Sequence, residues 1–144
     1  VIVEEAVCGT SFSQPIFWNY GTPLLLPSIK EISDNKVGTI TNGQKRKVEC
    51  GLHREVAKKE DSDLLSAYTK MLFDAIDPTD YIRVDYMISD DGRPFFLEFN
   101  VCANLGSHAA IAMSAKSVGI SHRDLVKGSA YSSISRNNQI HGFL

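Results

Sequence analysis

Long apolar runs are missing from this chain: no stretch of its 144 residues approaches the roughly 18 apolar positions of a membrane-spanning helix, and no signal peptide is visible. An excess of one charge is missing too. A formal net charge of −2 gives no bulk attraction for nucleic acid or an anionic membrane, so neither is an expected partner. Cysteine is scarce and badly spaced for pairing. Cys8, Cys50 and Cys102 are odd in number, far apart and without a Cys-x-x-Cys step, which argues against a disulfide or zinc framework and for reduced thiols in the cytoplasm. His53, His108 and His122 lack the spacing of metal ligands. There is no glycine-rich phosphate loop, internal repeat or low-complexity tract. The short basic clusters Lys45-Arg46-Lys47 and Lys58-Lys59 are followed by acids and read as solvated faces.

What is present is enough apolar content, 43%, for one respectable core. Val1 opens directly into an apolar strand, which is unusual for a natural terminus and suggests a fragment. Further strand signals lie in Pro15 to Tyr20, in Leu24-Leu25-Leu26 and, beyond Pro27, around Ile29 and Ile32. Residues 33–44 read as a loop with one short strand at Val37 to Thr41. Asp61-Ser62-Asp63 offers an N-cap for a helix to about Ala75, whose apolar stripe is core. A hairpin follows, then a helix from about Ser107 to Val118 ended by Gly119, and another opened by the capping box Ser121-His122-Arg123-Asp124 and reaching about Ser135. This order implies an α+β domain over residues 1–136, a mainly antiparallel sheet with helices on one face, and a frayed tail over 137–144.

The hairpin is the most informative part. Tyr81 to Ser89 and Pro94 to Asn100 alternate around Asp91-Gly92, a two-residue turn signal that makes paired residue numbers sum to 183. Asp85 then faces Glu98, Arg83 faces Asn100, Met87 faces Phe96, and Ser89 faces Pro94. Ile82, Val84, Ile88, Phe95, Leu97 and Phe99 take the other, core side. Two carboxylates directly opposite each other repel and ask for compensation. A hard divalent cation with Asn100 as a neutral oxygen ligand would supply it; a solvated polar face is the plainer alternative. Arg83 reads most simply as an ion-pair partner for Asp85, and Met87 with Phe96 as a cover for a neighbouring helix.

The run RVDYMISDDGRPFFLEFN followed by VCANLGSHAAIAMSAKSVGISHRDLV resembles the carboxyl-terminal catalytic segment of ATP-grasp ligases, most closely those similar to D-alanine:D-alanine ligase. The opening Val1 to Gly9 and Pro27 to Ile32 resemble further strands of that family. The resemblance spans residues 1 to about 130 and is weakest over 45–60. It implies the ATP-grasp carboxyl-terminal fold and an ATP-dependent ligase joining a carboxylate to an amine through an acyl-phosphate. It implies ATP and Mg2+ (or Mn2+) as cofactors, the metal on Asp85, Glu98 and Asn100. Small amino-acid-like substrates are the implied partners, and a homodimer of the full-length protein is allowed.

By the same resemblance, Arg83 steadies the acyl-phosphate and the oxyanion formed on amine attack. Glu4, Glu5, Val7, Met87 and Phe96 line the nucleotide, and Ser107 and Ala109 stand at the second substrate. Asn104 takes the position of a glycine whose N–H helps hold the oxyanion. The chain departs from the family's pattern at several points. Glu5 replaces a common lysine, Ser11 a ribose-binding glutamate, Ala103-Asn104 a Pro-Gly step and Ala109 a serine; Lys45 or Arg46 falls near a phosphate-contacting lysine. The phosphate-clamping domain is not in this segment, so the segment alone is expected to be inactive. A non-catalytic nucleotide-binding or interaction module is the alternative.

Overall fold

The computed structural model describes residues 3, 5, 7–19, 22–33, 52–72 and 79–141. Its elements are β1 (Gly9–Asn19), β2 (Thr22–Leu25), β3 (Ile29–Ser33), β4 (Leu52–Val56), α1 (Lys59–Leu72), β5 (Tyr81–Ser89), β6 (Pro94–Asn100), α2 (Ala110–Ser117) and α3 (His122–His141). The expected strand at Val37 to Thr41 and the helix end near Ala75 lie outside the described residues. The six strands form one antiparallel sheet in the order β4-β3-β1-β5-β6, with β2 paired to the far end of β1.

Strand β1 is central, and its alternation sorts the core into two layers. Phe12, Ile16 and Trp18 join Ile82, Val84, Tyr86 and Leu65 of α1 on one side. Phe17 joins Ile111, Ala112 and Ala115 of α2 and Leu125 of α3 on the other. The helices therefore cover both faces, not one: the sheet interior has apolar side chains pointing both ways, and each set needs a partner layer. The layer carrying α2 and α3 buries the Phe17 and Tyr81 end of the sheet; among the described residues it leaves the same face uncovered toward Asp85, whose side chain is 17% exposed. That opening is where the site sits.

Strands β2 and β3 lie along the same edge of β1 and are separated at Pro27, which cannot donate to a ladder. Gln14 repairs the break. Its fully buried amide donates to the Leu26 and Pro15 carbonyls, and its Oε1 accepts from the Ser28 hydroxyl. The Ser28 N–H in turn donates to Ser62 Oγ of α1 at 3.0 Å. Ser62 is thus a tie between helix and strand, and α1 begins earlier than the expected cap.

Strand β4 was not legible as a strand. It is polar, and cross-strand charge pairs fix it to β3: Arg54 Nε lies 2.6 Å from Glu31 Oε1, and Lys30 Nζ 3.6 Å from Glu55 Oε1. Helix α2 closes as expected at Gly119 (φ 84°), with the Ile120 N–H on Ala115 O and the Gly119 N–H on Lys116 O. Ser121 caps the next helix as expected, though without the box's return bond to its backbone: the Asp124 N–H donates to Ser121 Oγ at 3.1 Å, and that hydroxyl to Asp124 Oδ2 at 2.6 Å. Helix α3 then runs to His141, beyond the expected end near Ser135 and through part of the tail expected to fray. A bidentate ion pair anchors this stretch, from Arg136 to Asp80 just before β5.

Gly128 lets α3 approach the sheet: a Cβ there would stand 2.4 Å from Cζ of Phe17, a buried ring. Gly128→Ala should gain up to about 1 kcal/mol of helix propensity and lose about 1–3 kcal/mol to overpacking. Overpacking is the larger of the two, so net destabilisation of up to about 2 kcal/mol is expected in a chemical-denaturation curve of the protein. An unchanged or raised midpoint would show that the Phe17 ring yields freely.

Candidate active site

The hairpin places its two carboxylates as the spacing predicts, but by a different route. The Gly92 N–H bonds to Ser89 O and the Ser89 N–H to Arg93 O, with Gly92 at φ 83°. The loop is therefore three residues, Asp90-Asp91-Gly92, with glycine in the left-handed position such loops require. Pairs near the turn sum to 182: Ile88 with Pro94, Met87 with Phe95, Tyr86 with Phe96. A β-bulge between Asp85 and Tyr86 then absorbs one residue of β6 and restores 183 for Asp85 with Glu98, Val84 with Phe99 and Arg83 with Asn100.

The bulge also moves the apolar residues. Phe96 does not face Met87. Its ring meets Tyr86 edge-on at 6.1 Å on the core side, and it remains 49% exposed. Phe95, expected in the core, takes the place opposite Met87 and carries the Arg93 guanidinium 5.6 Å above its ring. Leu97 and Phe99, also expected in the core, are about half exposed on the edge strand.

Asp85 is the hub of the open face. Its Oδ1 accepts from Arg83 Nε at 2.8 Å and Ser13 Oγ at 2.9 Å. Its Oδ2 accepts from Arg83 Nη2 at 2.7 Å and Asn100 Nδ2 at 3.2 Å. The same Asn100 amide reaches Glu98 Oε1 at 3.2 Å. The repulsion of the two carboxylates is thus offset by a planar cation and a bridging amide. The plain reading of Arg83 as an ion-pair partner holds in this structure. Burial alone would draw the Arg83 pKa down; hydrogen bonds to Asp85 and the charges of Asp85, Glu31 and Glu98 together carry it above its ordinary value. A permanently charged fork of this kind does not titrate in use.

The donor set suits a hard cation. Asp85 and Glu98 bring two carboxylates to one edge, and rotating the Asn100 amide by 180° would turn its oxygen toward them, an orientation that heavy-atom positions alone do not distinguish. Among the described residues there is no group of three or more His, Cys, Asp or Glu able to hold a metal, so any cation here would rest on two carboxylates, the amide and a substrate.

The other expected residues scatter. Met87 pairs with Ser11 on one side and Phe95 on the other. Val7 and Glu5 precede β1 in irregular backbone, Glu5 exposed, and Glu4 lies outside the described residues, as do Lys45 and Arg46. Asn104 and Ser107 are exposed in the loop after β6. Ala109 is buried in the second core layer and presents little to solvent.

Three residues on this face escaped the sequence reading. Ser13 is signalled only by alternating with Ser11 along β1. Glu31 stands beside Ser11 in the cross-strand row that continues through Met87 to Phe95. Arg54, paired to Glu31, sits on the strand whose polarity hid it.

The fold has known counterparts. Residues 1–128 match the family described as D-ala D-ala ligase C-terminus. The chain belongs to that family. A D-alanine--D-alanine ligase of Paraburkholderia phytofirmans is 30% identical over 130 residues, covering 89% of this chain and 40% of the relative. The crystal structure of D-alanine--D-alanine ligase from Bacillus anthracis complexed with ATP matches with a TM-score of 0.69 at 21% identity, over 92% of this chain and 40% of that one. The D-alanine-D-alanine ligase from Coxiella burnetii matches with a TM-score of 0.73 at 11% identity, over 97% of this chain and 36% of that one. At such identities the structural likeness speaks to the fold, which is that of the family's carboxyl-terminal domain. This chain spans about two fifths of the length of these D-Ala-D-Ala ligase relatives. Among the described residues no helix is long and apolar enough to cross a membrane.

Proposed function

We propose that this chain carries the catalytic face of an ATP-dependent carboxylate–amine ligase that works through an acyl-phosphate. The observation that carries the reading is the Asp85–Glu98 pair, held face to face with Asn100 and Arg83 on the open side of the sheet. Asp85, Glu98 and the Asn100 oxygen would hold Mg2+ or Mn2+. When bound, such an ion would neutralise the charge of the phosphates during transfer.

The remaining work falls to the chain itself. Arg83 lies beside the pair with its fork directed at Asp85, close enough to share its charge with a phosphoryl group or an oxyanion placed there. Met87, with Phe95 in the place expected of Phe96, offers a flat apolar wall for a purine. Asn104 and Ser107, exposed on the loop beyond Asn100, would by the family resemblance meet an incoming amino-acid-like amine. The match to relatives named D-alanine--D-alanine ligase supports small amino acids as substrates, although Asn104 and Ala109 depart from the family at the acceptor side.

The test is phosphate release by the full-length protein with ATP, Mg2+ and a panel of small amino acids. Release that requires the amino acid supports the ligase. ATP binding with no release under any amino acid would favour the non-catalytic module, for which the departures at Ser11, Asn104 and Ala109 are the motive. Residues 1–144 alone should release no phosphate, because positioning is most of what phosphoryl transfer asks of a protein and the relatives are more than twice as long.

A further inference from the structure

The loop after β6, residues 101–109, begins at Asn100 and so borders the carboxylate pair by chain continuity. Two side chains grip one of its peptide units from opposite sides. Asn104 Oδ1 accepts the Gly106 N–H at 2.8 Å, and His122 Nε2 lies 2.7 Å from the Leu105 carbonyl oxygen. That carbonyl and that N–H belong to the same planar unit, and in a trans peptide they point in opposite directions. A carbonyl only accepts, so His122 Nε2 carries the proton.

The grip is anchored to rigid structure at both ends. His122 opens α3, whose first turn is fixed by the Ser121–Asp124 cap and by Leu125, fully buried. The Leu105 side chain packs against the second core layer, and the Ala109 N–H closes the loop onto Gly106 O at 2.9 Å. Holding one peptide plane fixes the ψ of Leu105 and the φ of Gly106, the glycine being the residue with most freedom to lose. The segment has no proline of its own to stiffen it.

We propose that Asn104 and His122 are positioning residues: together they clamp the Leu105–Gly106 peptide and hold the loop in one conformation at the mouth of the carboxylate site, where it orients the incoming amine. The clamp stands on its own geometry; its effect on the amine rests on the ligase reading above. His122 touches neither the pair nor Arg83 and acts only through the loop.

The experiment uses full-length protein with His122→Ala, His122→Gln and Asn104→Ala. Hydrogen–deuterium exchange is followed in peptides covering 101–109, with β5 peptides as internal reference, alongside the KM for ATP, the KM for the amino acid and kcat. Losing one hydrogen bond should speed loop exchange about three- to tenfold in His122→Ala and Asn104→Ala and leave β5 unchanged. Glutamine, whose amide can reach the same carbonyl, should restore most of the protection. The KM for the amino acid should rise or kcat fall by a similar factor, with the KM for ATP unmoved. Unchanged loop exchange in both alanine variants would overturn the clamp whatever the kinetics. A loosened loop with wild-type amino-acid kinetics would overturn its positioning role and leave the ligase standing. Absence of amine-dependent turnover in the wild-type protein would bring down the ligase and the positioning role with it, with loop exchange still judging the clamp.

Discussion

Glu98→Gln in the full-length protein is expected to lower amine-dependent phosphate release by on the order of 10²-fold or more, about what is lost when one preorganised group facing transition-state charge is removed. Glutamine keeps the shape of the side chain and its fit opposite Asp85 but removes the negative charge that would hold a divalent cation against the phosphates. The loss should shrink as Mg2+ is raised, since weakened cation binding is offset by mass action. Arg123→Gln is the control. Arg123 is exposed in the first turn of α3, and its loss should change stability by less than about 0.5 kcal/mol. Circular dichroism on both variants separates folding from chemistry. A wild-type rate and magnesium dependence in Glu98→Gln would reduce the pair to a solvated sheet face and make the non-catalytic module the better reading.

The second large effect is one of stability. Gln14→Ala removes the amide donor to Leu26 O, leaves the Ser28 hydroxyl without its acceptor and opens a void beside the Pro27 break, while Pro15 O keeps the Leu26 N–H. A buried carbonyl or hydroxyl stranded in this way costs about 1–3 kcal/mol, and the void adds to it. A total of about 3–5 kcal/mol is expected, a large share of the roughly 5–15 kcal/mol that holds a domain folded. Gln14→Met keeps the volume and loses only the hydrogen bonds, so it should cost less, about 2 kcal/mol. Ser66, whose hydroxyl is 3.4 Å from Gln14 Oε1, makes a marginal bond, and Ser66→Ala should fall below about 1 kcal/mol. Thermal melts of the three variants would show that order. Equal midpoints for Gln14→Ala and wild type would mean that the kink at Pro27 is held by its backbone alone.

Much of the fold was readable because its signals are local. The caps at Gly119 and Ser121 depend on a glycine and on a serine three residues before an aspartate, and both formed. The alternation of Ile82, Val84 and Ile88 gave β5 its core side, on which Tyr86 also lies. The polar strand β4 was missed because its stability comes from pairing with β3, through Arg54 to Glu31, and a partner strand is not a local signal. The helices' division between both faces was missed for the same reason: alternation marks two sides without saying which helix covers each.

The candidate site was legible in part by cancellation. A two-residue turn and an unbroken ladder bring Asp85 opposite Glu98; so do a three-residue turn and a bulge. The two routes differ only between the turn and the bulge, where Phe95 and Phe96 exchange sides. Period-2 reasoning therefore placed the carboxylates correctly and the apolar wall one residue out, since a one-residue slip in register carries a side chain to the opposite face of the sheet.

The arginine fork on Asp85 makes this site one with a resident counter-ion. The two carboxylates carry a formal charge of −2, Arg83 returns +1, and the guanidinium occupies both oxygens of Asp85. A bare magnesium ion arriving in solution would meet a half-neutralised receptor and would have to compete with a covalently tethered cation for it. On the ligase reading, a polyphosphate arriving with the metal would supply negative charge for Arg83, now paired to Asp85, to share. On that reading, such a site would favour the metal–nucleotide complex over the free metal, and an ordered arrival would follow from the charge balance across the hairpin's two strands.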